Sequence, residues 1–133
     1  MDYQEFVTTQ FIPRVLAALN TMRDVLIAAG VPSNRVTVTE VDAENLRYRI
    51  TAIRGPRTLV CYFELTPVTI IDGQMALIIT LYVEGNGTEI THSYTVGVPQ
   101  RYITDMQSIL DKLTSAELTM GEVTVKARAF LQV

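Results

Sequence analysis

The chain has 133 residues, 48% of them apolar and 19% charged, with 7 Gly, 5 Pro and a formal charge of -3. That profile suits one ordinary domain spanning residues 1–133, able to bury a core without disulfides or a structural metal, and it excludes extensive disorder. A single Cys and a single His exclude a disulfide framework and His-rich zinc sites, so neither metal nor cofactor is expected.

The acidic balance argues against nucleic acid as a partner. No apolar run approaches the roughly 18 residues of a membrane span, and Met-Asp-Tyr-Gln-Glu-Phe at the start lacks the basic region of a signal peptide. The expectation is a cytoplasmic protein without membrane contact, and a virion component is compatible with it.

In chain order, residues 2–29 carry a helical pattern, since Phe11, Val15, Leu19, Met22, Leu26 and Ala29 recur at spacings of three and four. Gly30 suits a left-handed cap and Pro32 cannot extend the helix, so the stop is well marked. Pro13 removes a backbone donor, which places the start of the long helix at Pro13 and leaves Asp2 to Phe11 as a preceding turn or arm.

Residues 35–97 alternate with period two and are broken by turn dipeptides, the pattern of an antiparallel meander of five strands. With Gly55-Pro56 as the first loop, Ala52 faces Leu59, Ile50 faces Cys61, Tyr48 faces Phe63 and Leu46 faces Leu65. On the other side of the sheet Arg47 then meets Glu64 and Arg49 meets Tyr62, so charge and hydrophobicity agree on one register. A turn at Asp72-Gly73 pairs Val68 with Leu77, and a bulge at Thr66-Pro67 is then needed to set Leu65 opposite Ile79 and Phe63 opposite Leu81. At Gly85-Asn86-Gly87 two registers are open. A loop of Asn86-Gly87 opposes Glu84 with Glu89, whereas Gly85-Asn86 sets Glu89 beside Tyr82 and avoids the like-charged pair, which favours the second.

After Val98-Pro99, the stripe Tyr102, Ile103, Met106, Ile109, Leu110 and Leu113 predicts a second helix. Val123, Val125, Ala127, Ala129, Leu131 and Val133 alternate with polar residues and predict a final strand lying parallel to the fifth. The expected fold is therefore α+β: a long N-terminal helix, a five-strand antiparallel meander, a second helix and a C-terminal strand, with both helices on one face of the sheet. In outline this order resembles cystatin-like folds, specialised secretion chaperones and some virion or phage-tail assembly proteins. The resemblance implies architecture alone, and secretion chaperones differ in splitting their strands with a helix.

Candidate chemistry is sparse. His92 shares a strand face with Ile90, Tyr94 and Val96, as a helix-facing histidine would, and Ser93 points to the opposite face and cannot pair with it. Cys61 falls among Leu59, Phe63 and Leu65, where an apolar setting makes a thiol inert. Gly85-Asn86-Gly87-Thr88 has no Lys and no helix after it and is a hairpin tip rather than a phosphate loop. Asp42 with Glu44, and Asp105 with Asp111, are solvated acids short of a cation site. Arg47, Arg49, Arg54 and Arg57 beside Tyr62 form the one strip that could hold an anion.

The positive signal is the second face of the sheet, which carries Ile53, Val60, Tyr62, Ile78 and Tyr82 among threonines. The expected function is accordingly a non-enzymatic interaction or assembly module, with a second copy or another protein as partner, and no catalytic residue is assigned. The alternative is a small-molecule-binding or enzymatic domain with a pocket between helices and sheet near Tyr48, His92 and Tyr94.

Overall fold

The computed structural model describes residues 2–42, 45–69, 75–97 and 106–133. In order these form α1 (Tyr3–Phe6), a π turn (Val7–Phe11), α2 (Ile12–Ala29), a 3-10 turn (Ser33–Arg35), the strands β1 (Val36–Asp42), β2 (Arg47–Arg54), β3 (Arg57–Thr69), β4 (Met75–Gly85) and β5 (Thr88–Gly97), and α3 (Gln107–Leu131). The class is α+β, with the five antiparallel strands in one sheet of order β1-β2-β3-β4-β5.

The N-terminal helical path begins ahead of Pro13. Asp2 caps it, accepting from the Glu5 N–H at 2.8 Å, and buried Phe6, Val7 and Phe11 hold this first stretch to the core. Residues 3–11 are thus helical rather than an arm, with Asp2 as the extended cap. The chain accommodates Pro13 by widening the preceding turn, so that the Ile12 N–H reaches back five residues to the Val7 carbonyl. The stripe Val15, Leu19, Met22 and Leu26 is buried as its spacing predicts. Gly30, at φ 123°, and Val31 donate to Ile27 and Leu26 and close the helix.

The β2–β3 hairpin has the register read from the sequence, including Tyr48 opposite Phe63 and Arg47 opposite Glu64. Between β3 and β4, Leu65 meets Ile79 and Phe63 meets Leu81, but without the expected bulge, because Pro67 pairs directly with Leu77 and Val68 with Ala76. Pro67 fits an unbroken ladder for a local reason. The Leu65 N–H points to the β2 side, where it meets the Leu46 carbonyl at 3.2 Å, and by alternation the donor that Pro67 lacks would point the same way, so the ladder to β4 loses no bond. The Asp72-Gly73 turn lies outside the described residues.

The third hairpin takes the register that the sequence disfavours. Gly85 pairs with Thr88 across Asn86 and Gly87, both at positive φ (51° and 81°), and Glu84 stands opposite Glu89. The tip is tied down by β3, since Asn86 Oδ1 accepts from the Thr58 N–H and the Asn86 N–H donates to the Thr58 carbonyl, each at 2.8 Å. Ile90 is then an extra residue in β5, because Val83 pairs with Thr91.

The C-terminal segment corrects the sequence expectation most. Residues 123–133 belong to no strand, and α3 runs through them to Leu131. Met106, Ile109, Leu113, Ala116, Met120, Val123, Ala127 and Leu131 are buried at spacings of three and four, while Val125, a core position of the expected strand, is 68% exposed. Pro99, Tyr102 and Ile103 lie outside the described residues. One buried cluster joins these α3 residues and the α2 stripe to Tyr48, Ile50, Ala52, Leu59, Cys61, Phe63, Leu65, Leu77, Ile79, Leu81 and Val83 of the sheet. Phe11 meets Phe63 edge-on within it, centroids 6.0 Å apart.

Candidate functional site

Sheet residues of the opposite parity form a second face, and strand register arranges them in rows. One row runs Arg49, Tyr62, Tyr82, His92 across β2 to β5, the next Arg47, Glu64, Thr80, Tyr94, and a third Thr66, Ile78, Val96. On the other side of the tyrosines lies Thr51, Val60, Glu84, Glu89. Tyr62, Tyr82, Val60 and Ile78 are half-buried, whereas Tyr94 is 65% and Val96 46% exposed.

Aromatic contacts link the middle of this face. The Arg47 guanidinium lies 4.2 Å from the Tyr62 ring centroid, and its Nε lies 3.4 Å from Glu64 Oε2. Tyr62 and Tyr82 follow with centroids 6.3 Å apart, then His92 edge-on to Tyr82 at 5.3 Å and Tyr94 at 5.6 Å from His92. His92 Nδ1 is 3.7 Å from Glu89 Oε1. The Tyr82 phenol is held above its ordinary pKa, by desolvation first and then by the carboxylates of Glu84 and Glu89 and a hydrogen bond with Glu84.

Of the residues singled out by sequence, Val60, Tyr62, Ile78 and Tyr82 come together here. Ile53 shares the parity but stands at the end of β2, where it lines a small cleft of about 210 Å³ with Pro32, Arg35, Arg54 and Gly55. The pocket set is not brought together. Tyr48 is buried in the core, its phenol raised above the usual range by burial and by Glu40, while His92 and Tyr94 are exposed on the opposite face. His92 is therefore not helix-facing as expected: the extra residue at Ile90 flips every side chain after it.

Cys61 is fully buried, and desolvation pushes its thiol up to about 12, which leaves no nucleophilic thiolate. Among the described residues no group of three or more His, Cys, Asp or Glu side chains could hold a metal ion. The arginine strip divides by role. Arg54 Nη1 donates to the carbonyls of Leu131 (2.8 Å) and Gln132 (3.2 Å), and Arg57 Nη1 donates to that of Phe130 (2.9 Å), so these two side chains satisfy the C-terminus of α3. Sequence reasoning cannot find that role as long as residues 123–133 read as a strand.

Outside the sheet, an apolar groove of about 450 Å³ runs between α2 and α3 over Met22 and Met120, with Ala17, Ala18, Thr21 and Gly121 on its walls. Arg14 bridges the two helices by pairing with Glu117 and Thr114. No helix among the described residues is long and apolar enough to cross a membrane. Comparisons with protein-family models, curated proteins and solved structures find no match to this chain.

Proposed function

We propose that this chain is a non-enzymatic assembly module that associates with a second copy of itself through the second face of its sheet. The observation that carries the proposal is the composition of that face. Tyr62, Tyr82, Ile78, Tyr94 and Val96 give it contiguous aromatic and aliphatic surface, flanked by charged residues as an interface core is by its rim. Tyr and Arg at its middle are the residue types that dominate interface energetics. A cytoplasmic setting goes with this reading, supported by a lone cysteine kept as a buried thiol.

The test introduces charge where the face is apolar. Ile78→Arg, alone or with Tyr62→Glu, should yield a folded monomer, because an interface core that gains an unpaired charge loses several kcal/mol of association. Circular dichroism and sedimentation velocity read the two properties separately. A wild-type chain that is monomeric at every concentration, or a variant with an unchanged oligomer, overturns the proposal.

A further inference from the structure

The charges on the second face are segregated by strand. On β2, Arg49 has no carboxylate within ion-pair distance among the described residues, and its Nε is shielded from solvent without an acceptor. The Arg47 Nε is likewise shielded without a hydrogen-bond acceptor, but Arg47 has the Glu64 carboxylate at ion-pair distance and the Tyr62 ring beside it. On β4 and β5, Glu84 and Glu89 stand directly opposite each other, a like-charged cross-strand pair that ordinarily weakens a hairpin. No Lys or Arg among the described residues pairs with either; Glu89 has His92 Nδ1 at 3.7 Å and Glu84 a hydrogen bond with the Tyr82 phenol. Within one chain they cannot meet Arg49, because β2 and β4 are separated by roughly 10 Å with Tyr62 between them.

A second copy supplies the arginine–carboxylate pairing that Arg49, Glu84 and Glu89 do not make within one chain. Two such faces can be apposed by a two-fold axis lying between them, and its direction decides which strands meet. An axis perpendicular to the strands stacks β2 on β2 and sets Arg49 against Arg49. An axis parallel to the strands, near the middle of the sheet, lays β2 of one copy over β4 and β5 of the other and keeps every row in place, so that Arg49 stands over Tyr82 with Glu84 and Glu89 one row further along, about 7 Å away and within the reach of a guanidinium. We propose that the chain forms an isologous face-to-face dimer about an axis parallel to its strands, in which Arg49 of each copy reaches Glu84 and Glu89 of the other around a centre of Tyr62 and Tyr82. This rests on the second face being the self-association surface. Its size is adequate: five strands spaced about 4.8 Å apart and rows covering roughly 30 Å give about 600 Å² per copy, or about 1,200 Å² in all, the lower end of stable interfaces.

Charge reversal with mixing tests the arrangement. Arg49→Glu alone, and Glu84→Lys combined with Glu89→Lys, should each weaken the homodimer roughly a hundredfold while circular dichroism stays native. A 1:1 mixture of the two variants should restore a dimer of wild-type affinity. In the mixed pair the acid introduced at position 49 of one copy faces the two introduced lysines, and the native Arg49 of the other copy faces native Glu84 and Glu89. Sedimentation velocity and native mass spectrometry, which separates hetero- from homodimers by mass, give the readout. If both variants dissociate and the mixture stays monomeric, the face is an interface but this axis is wrong. If both variants remain dimeric, the charges lie outside the interface and the proposal falls. A mixture that grows beyond a dimer excludes the two-fold, and a monomeric wild type removes the self-association reading itself.

Discussion

The ring of Phe130 lies so close over the backbone of Gly85 that a Cβ on Gly85 would come within 2.5 Å of the ring. On the same ring sits the Arg57 guanidinium, 5.4 Å from its centroid. The end of β4, the start of β3 and the last turn of α3 therefore converge on one contact. Gly85→Ala should destabilise the fold by about 1–3 kcal/mol, as overpacking does at sites that cannot yield. Phe130→Leu in the same background should recover part of that loss in urea titration, whereas an unchanged midpoint for Gly85→Ala would show that the ring moves aside freely.

Arg54 should matter for stability rather than for binding. Gln132 closes α3 in the left-handed region at φ 60°, a conformation that side chains disfavour, and the Arg54 guanidinium bridges the carbonyls on either side of that turn. Arg54→Ala should cost about 0.5–2 kcal/mol and raise amide exchange in the last turn of α3. A loss of self-association at unchanged stability would contradict this assignment.

Cys61 makes two linked predictions. The native thiol should be nearly inert to disulfide reagents at neutral pH and react at the rate of unfolding. Its pKa rises from 9.0 to about 12 on folding, so the unfolded chain ionises first and the associated stability, complete below pH 9, is lost as pH climbs toward 12. Tyr3 and Tyr48, whose phenols are also raised by burial, add to the same slope. Chemical denaturation from pH 8 to 11 should show little loss from the thiol below pH 9 and, above it, stability falling toward about 1.4 kcal/mol per pH unit from the thiol alone, and Cys61→Ala should flatten that slope.

His92→Gln should change stability by no more than about 0.5 kcal/mol, because the side chain is exposed and its contacts are two ring edges and a distant carboxylate. A thermal melt decides it. A loss of several degrees would mean that His92 is buried in solution.

How much of this is legible in the sequence follows from how strictly each segment is constrained. The β2–β3 hairpin can be paired residue by residue because Ala52, Ile50 and Tyr48 demand apolar partners on one side while Arg47 demands Glu64 on the other, and a slip of one residue violates both. The register at the third turn escapes such reasoning because the pair Glu84 and Glu89 counts as a cost, while the fit of Asn86 and Gly87 to positive φ and the two bonds from Asn86 to Thr58 outweigh it. The inserted residue at Ile90 then moves His92 to the other face. At the C-terminus, a run with apolar residues at 123, 125, 127, 129, 131 and 133 satisfies a strand, yet 123, 127 and 131 alone satisfy a helix, and packing against α2 and the sheet selects the longer period. Of the candidate site, the aromatic and aliphatic members are readable from parity; the isolation of Arg49 is not, since it depends on what lies beside it in space.

The order of the sheet bears on how the chain folds. Every strand pairs with the one before it in sequence, α2 touches β1 and β2, and α3 touches β3, β4 and β5. The strand pairings close short stretches of chain and carry little entropic penalty, the condition for rapid collapse. The exceptions are the contacts of α3, where Arg14 and Glu117 are 103 residues apart in sequence, and Arg54 and Leu131 are 77 apart. The meander can thus assemble while Leu59, Phe63 and Leu81 still wait for α3 to cover them, and a nascent chain halted before Gln107 would display that apolar sheet surface to any chaperone or neighbouring chain nearby.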